Sequence, residues 1–202
     1  GEVLWYRDEG YYTGSPWRGR WATEGGGVLI NQAIHTLDLV ALFGGPVRAV
    51  TARIATLGHA SIEVEDVAAA VLTYDSGALG TFTATTCAYP GSEVRVTVVG
   101  SKGSATIVGQ ELTQFATRDG CTRPPEVPAW PVPLPANGKD YYGSSHGLVI
   151  QDYLAAVREG RDPCITGEDG AVSVDLLTAI YASARTGMEQ AVARTLVIAP
   201  SR

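Results

Sequence analysis

Asn31, His35 and Asp38 lie four and three residues apart in the apolar segment EGGGVLINQAIHTLDLVALFGG, residues 24–45. At about 100° per residue the three share a helical stripe roughly 60° wide. Ile30, Ala33, Ile34, Leu37 and Ala41 fill a neighbouring sector and are expected to face a core. The polar stripe is suited to proton transfer. Histidine gives and takes protons near neutral pH, and Asp38, one turn on, is placed to orient the ring or favour its charged form. Asn31, one turn back, offers a hydrogen bond to a hydroxyl or carboxamide. An ordinary solvated helix face is the alternative.

Just upstream, SPWRGRW carries Trp17, Arg18, Arg20 and Trp21. An arginine there can pair with phosphate or carboxylate, and a tryptophan can stack on a flat ligand face. Packing of a loop edge explains them equally well. His146, at the start of a later helix, is a further candidate for lining a cleft.

Other motifs fail on context. GSSHG, residues 143–147, matches the G-x-S-x-G nucleophile elbow, but no buried strand precedes it and no histidine follows it. GSKGS, residues 100–104, lacks phosphate-loop spacing and lies between two strands. The glycines at 25–27 miss the G-x-G-x-x-G dinucleotide fingerprint, because Ile30 stands in the last glycine position. No complete nucleotide-binding unit is present. His35 and Asp38 alone are too few ligands for a metal, and Glu63, Glu65 and Asp66 at a strand start read as solvated carboxylates. No metal is expected.

Three main helices are predicted to frame the stripe. The first covers 30–43, between Gly25-Gly26-Gly27 and Gly44-Gly45-Pro46. The second covers about 146–159, capped by Ser144 or Ser145, with Val149, Ile150, Tyr153, Leu154 and Val157 at helical spacing. The third covers about 168–186, with capping-box spacing at Thr166 and Asp169, Arg185 in its last turn and Gly187 beyond its end. Between the first two, the period switches to two. GEVLWYR and AVTARIATL read as strands, VAAAVLTY-DSG-ALGTFTATT and VRVTVVG-SKG-SATIVG as hairpins, and ELTQFATR and RTLVIA as further strands. The expected class is α+β: an open, mostly antiparallel sheet with about three main helices on one face. Residues 119–143 hold six of the eleven prolines and exclude regular structure; Trp130, Tyr141 and Tyr142 there suit a loop that packs down, as a lid would.

The 202 residues allow one large domain, and no composition shift marks a second. A net charge of −6 gives no sign of a nucleic-acid surface. Cys87, Cys121 and Cys164 fit neither a disulfide framework nor a zinc site, which suits a reducing, cytoplasmic setting. No apolar run approaches a membrane span, so no membrane partner is expected. The only methionine is Met188 and the chain opens directly on a strand, which suggests the downstream part of a longer protein.

GGGVLINQAIHTLDL resembles the central motif of the glucose–fructose oxidoreductase / inositol dehydrogenase / rhizopine-catabolism (Gfo/Idh/MocA) family, G-G-G-x-L-x-[DN]-x-[GA]-x-H-x-x-D. WRGRW, VEDVAAAVLTYDSGALGTFTATT, VTVVGSKGSATI and GLVIQDYLAAVREGRDPCITGEDGAVSVDLLTAIYASARTG extend the resemblance in the same order. It implies that residues 1–202 are the C-terminal substrate-binding and dimerisation domain of a two-domain oxidoreductase. The N-terminal Rossmann domain, which binds NAD or NADP, would lie outside this chain together with the family's catalytic lysine. Lys102 and Lys139 are not its replacements. By position His35 matches the catalytic histidine and Asn31 its neighbouring Asp/Asn. Trp17, Arg18, Trp21, Asp38 and His146 are the expected substrate-binding residues. A sugar-like substrate, a homo-oligomer built through the open sheet face and an inactive isolated fragment are implied as well. Asn31 stands where many members have aspartate, and asparagine orients a hydroxyl but cannot take its proton. A non-catalytic dimerisation or ligand-sensing module of the same fold is the other reading.

Overall fold

The computed structural model describes residues 1–122 and 146–193. The chain divides into two compact units, one of Gly1–Arg123 with Val172–Arg202 and one of Pro124–Ala171. The chain's structure is α+β, with an eight-stranded sheet in the order β7-β6-β5-β1-β4-β3-β2-β8. Its strands are β1 (Glu2–Leu4), β2 (Val47–Ala55), β3 (Val67–Tyr74), β4 (Leu79–Thr85), β5 (Arg95–Gly100), β6 (Gly103–Val108), β7 (Glu111–Thr117) and β8 (Gln190–Ala191). All neighbours pair antiparallel except β1 and β4, which run parallel with Val3 opposite Ala84.

The two glycine-bearing hairpins form where their sequence places them. Between β3 and β4, Gly77 adopts φ +83°, a left-handed conformation that glycine accepts without steric cost. Alternation then sorts the side chains. Ala68, Ala70, Leu72 and Tyr74 of β3 and Phe82 and Ala84 of β4 are buried, while Ala69, Val71, Thr81 and Thr83 stand exposed on the opposite face. The inner face forms one core with Leu29, Ala33, Leu37, Val40 and Ala41 and with Leu176, Leu177 and Ile180.

The helices are α1 (Glu9–Thr13), α2 (Trp21–Glu24), α3 (Ile34–Gly44), α4 (His146–Glu159) and α5 (Gly167–Thr186). The third predicted helix is capped as expected: Thr166 Oγ1 accepts from the Asp169 amide at 3.2 Å, and the Asp169 carboxylate accepts from the Thr166 amide at 2.8 Å. The predicted helix 30–43 is a π turn, Leu29–Ala33, that continues as α3. The short α1 and α2 were not anticipated. Asp8 caps α1 by accepting from the Tyr11 amide at 2.9 Å. On α4, the apolar residues Val149, Ile150, Tyr153, Leu154 and Val157 are exposed. The expectations for Ser144, Ser145, Trp130, Tyr141, Tyr142 and the strand RTLVIA fall outside the described residues. One expectation is corrected: Trp21–Gly44 is long and apolar enough to resemble a membrane span. Its most apolar window is 56% buried in the protein, as a core helix is.

Candidate functional site

The triple glycine makes the entry to α3 possible. Gly25 closes α2 with φ +82°. A Cβ on Gly26 would lie 2.0 Å from the Tyr181 hydroxyl, and one on Gly27 would lie 1.9 Å from the Glu65 carbonyl oxygen. No side chain fits at either position. Tyr181 and the Glu65 backbone pack directly against these two glycines.

Glu65 takes over the capping of this helix start from a different part of the chain. Its carboxylate accepts from the Gly27 amide at 2.9 Å, the Leu29 amide at 3.1 Å and the Tyr181 hydroxyl at 2.9 Å. Its own carbonyl accepts from the Val28 amide at 2.9 Å. Three amides that a helix start leaves unpaired are thereby satisfied. Burial pushes the Glu65 carboxyl above its ordinary value, against the opposing pull of these donors. Burial and the neighbouring Glu65 charge push the Tyr181 phenol up, so it remains a donor.

Asn31 sits half-buried in the π turn, and its Nδ2 donates to Glu24 Oε1 at 2.6 Å. The other oxygen of Glu24 accepts from the Gly19 amide at 2.6 Å. Next in the helix, buried Gln32 donates through Nε2 to the Tyr11 hydroxyl at 3.1 Å, while its Oε1 is sealed without a partner. The Arg18 guanidinium lies 4.1 Å over the Tyr11 ring and 5.0 Å from the Trp17 ring, with its Nε likewise sealed and unpartnered. Trp17 and Trp21 are both partly exposed. The Trp21 indole donates to the Glu63 carbonyl at 2.9 Å and meets the Tyr181 ring edge-on, so it packs the entry to α3. Glu63 also pairs with Arg20 at 2.8 Å on the surface.

His35 is exposed and has no hydrogen-bond or ion-pair partner among the described residues. The expected coupling to Asp38 is replaced by another: the Asp38 carboxylate accepts from the buried Ser173 hydroxyl of α5. Arg18, Trp17, Trp21, Asn31, His35 and Asp38 all lie in the first unit. His146 opens α4 in the second unit and is exposed.

A second histidine site went unnoticed in the sequence. Asp66 and Glu65, expected to be solvated, are buried. His59 Nδ1 lies 2.9 Å from Asp66 Oδ2, and His59 Nε2 lies 2.8 Å from the Arg7 carbonyl oxygen. The Asp66 carboxylate also accepts from the amides of Leu57, Gly58 and His59. Burial opposes its charge, but these amides and the His59 ring together outweigh it and hold the carboxyl below its ordinary value. Tyr12 stacks edge-on against the His59 ring, and its hydroxyl contacts Thr86 Oγ1 at 2.9 Å. With Cys87 this forms a trio whose ligand atoms lie within 4.8 Å of one another, close enough to share an ion. Both ring nitrogens of His59 and both oxygens of Asp66 are already engaged by protein atoms, so the cluster serves as a buried lock between β3 and the loop before it.

The family model described as the GFO/IDH/MocA C-terminal domain matches residues 1–106. A D-apiose dehydrogenase of Paraburkholderia graminis is 29% identical over 174 residues, covering 79% of this chain and 43% of the relative. The scyllo-inositol 2-dehydrogenase (NAD(+)) of Bacillus subtilis is 24% identical over 170 residues, covering 81% of this chain and 47% of the relative. The crystal structure of the WlbA dehydrogenase from Bordetella pertussis, in complex with NADH and UDP-GlcNAcA, superposes with a TM-score of 0.77 at 31% identity. That match covers 95% of this chain and 54% of the other. The chain thus spans about half the length of the relatives it matches.

Proposed function

We infer the role of this chain from one premise: it belongs to the GFO/IDH/MocA family, as a C-terminal domain of that family. We propose that it is the substrate-binding half of an NAD(P)-dependent oxidoreductase acting on a sugar, polyol or nucleotide-sugar hydroxyl. The supporting observation is the exposed His35 side chain on α3, four residues beyond Asn31 and without a hydrogen-bond or ion-pair partner among the described residues. An exposed imidazole in that position can take or return a hydroxyl proton. Asn31 holds a neighbouring polar group of the substrate, and Trp17 and Arg18 border the wall. Asp38, tied to Ser173, steadies α3 beside it.

The cofactor's phosphates would be held outside this chain, whose glycine run at 25–27 lacks the dinucleotide fingerprint and has Tyr181 and Glu65 packed against it. When bound, the nicotinamide supplies or accepts the hydride. This chain's part is to orient the carbinol, shield it and manage its proton. What supports an oligomer is the open sheet face, where Ala69, Val71, Thr81 and Thr83 stand exposed on the two paired strands β3 and β4. The absence of any disulfide among Cys87, Cys121 and Cys164 is consistent with a reducing, cytoplasmic setting.

The test is made on the complete protein as its native host produces it, whose intact mass should well exceed that of 202 residues. UDP-GlcNAcA, the ligand of the Bordetella relative, is the first substrate to try, followed by simple sugars and polyols with NAD and NADP. His35→Ala should lower kcat by about 10²- to 10⁴-fold and leave nicotinamide affinity unchanged. An unchanged kcat would remove His35 from the mechanism. The 202-residue chain alone should show no turnover, and a cofactor-dependent rate from it would overturn the half-enzyme reading.

A further inference from the structure

Glu24 is a carboxylate with both oxygens engaged, one by the Gly19 amide and one by Asn31 Nδ2, each at 2.6 Å. A carboxylate only accepts hydrogen bonds, so only the amino end of the Asn31 carboxamide can face it. The carbonyl end, Oδ1, must then point the other way. Among the described residues no donor reaches Oδ1.

We propose that Glu24 is a positioning residue that sets the polarity of the substrate wall, locking Asn31 with Oδ1 outward as an acceptor. The site then selects a ligand that presents a donor at this point, a hydroxyl or an amide N–H, and disfavours one that presents a carboxylate or ketone oxygen. The selection rests on the reading that this face of the helix is the substrate wall; the lock itself does not. An aspartate at position 31 would set two carboxylates at hydrogen-bond distance, and like charges that close cannot both ionise freely.

This arrangement predicts a reciprocal rescue. In Glu24→Gln, the new Oε1 still accepts from Gly19 while Nε2 donates to Asn31. That forces the Asn31 amide to flip and turns a donor outward. In Asn31→Asp the two carboxylates oppose each other. In the double variant Glu24→Gln/Asn31→Asp, glutamine donates to aspartate, and an acceptor faces outward again.

Two measurements test it. Side-chain amide NMR of the 202-residue chain should show the Asn31 Nδ2 protons protected from solvent exchange, and Glu24→Gln should raise their exchange rate at least about tenfold. Equal exchange in the two proteins would overturn the lock. In the complete enzyme with UDP-GlcNAcA as probe, each single variant should lose about tenfold or more in kcat/KM, and the double variant should recover most of it. Additive losses in the double variant would assign Glu24 a purely structural role and overturn the proposal. If the wild-type enzyme neither binds nor turns over the probe sugars, the substrate reading fails on its own, and the exchange measurement still decides the lock.

Discussion

His59 and His35 each have an aspartate nearby in sequence, yet only His59 is bonded to its own. His59 and Asp66 are sealed, their ring and carboxylate atoms satisfied by each other, by three backbone amides and by the Arg7 carbonyl. His35 is exposed without a partner among the described residues, and Asp38 has turned to Ser173. The difference separates two uses of the same residue types. A buried polar pair whose every hydrogen bond is made stabilises the fold by being complete, and losing one member leaves the other's polar atoms unpaired in the interior. A side chain with unused bonding capacity on a formed wall costs the fold little and is available to a ligand.

The largest effect is expected where the lock is broken. Asp66→Ala strands the His59 ring and three backbone amides in the interior and should cost about 3–5 kcal/mol in denaturant unfolding of this chain. A loss below about 1 kcal/mol would show that the cluster is not a lock.

Acid titration sharpens the contrast between two adjacent carboxylates. The folded pKa of Asp66 is depressed, so its contribution is present above the ordinary 3.8 and is lost as pH falls through the folded value. The folded pKa of Glu65 is raised, so its contribution is fully present below the ordinary 4.5 and is lost as pH rises through the folded value. Urea midpoints from about pH 3 to about pH 7 should therefore lose their decline above pH 4.5 in Glu65→Gln, while the rise from acid pH remains. An unaltered profile in that variant would remove Glu65 as the source of the decline.

The smallest effects are expected on the open stripe. Asp38→Ala gives up one partly buried hydrogen bond to Ser173 and should cost about 1 kcal/mol. His35→Ala should change stability by less than about 0.5 kcal/mol, although in the complete enzyme it is the variant expected to lose most activity. A stability loss for His35→Ala as large as that for Asp66→Ala would erase the distinction between the two histidines.

Part of this contrast was visible before any coordinates. The apolar sector of Ala33, Leu37 and Ala41 is buried as helical spacing predicts, whereas Asn31 falls in a π turn, where the spacing that put it in line with His35 no longer applies. The π turn had no sequence signal. It forms where amides at the helix start are drawn to Glu65, which is 36 residues from Leu29 in sequence. Glu65 and Asp66 read as solvated because carboxylates usually are, and only the donors gathered around them make burial tolerable. Glu24 escaped notice because three glycines separate it from the helical period. A glutamate just before a glycine run that leads to an asparagine-bearing helix is the signal that would have found it.

The sequence by itself determined the elements whose causes are local. The β3–β4 hairpin, with its left-handed Gly77, and the Thr166–Asp169 capping box are decided by bonds spanning a few residues. The alternation of β3 and β4 likewise needs only a strand's period of two to become an inner and an outer face. Tertiary structure decided which polar side chains are spent and which are left over. Hydrogen-bond capacity is used up by neighbours brought together across the chain: Asp66 meets His59, Glu65 meets Gly27, Leu29 and Tyr181, and Asp38 meets Ser173. Among the described residues no donor or acceptor of the fold reaches Asn31 Oδ1 or the ring of His35, while Gln32 Oε1 and Arg18 Nε are left unpartnered but sealed from solvent.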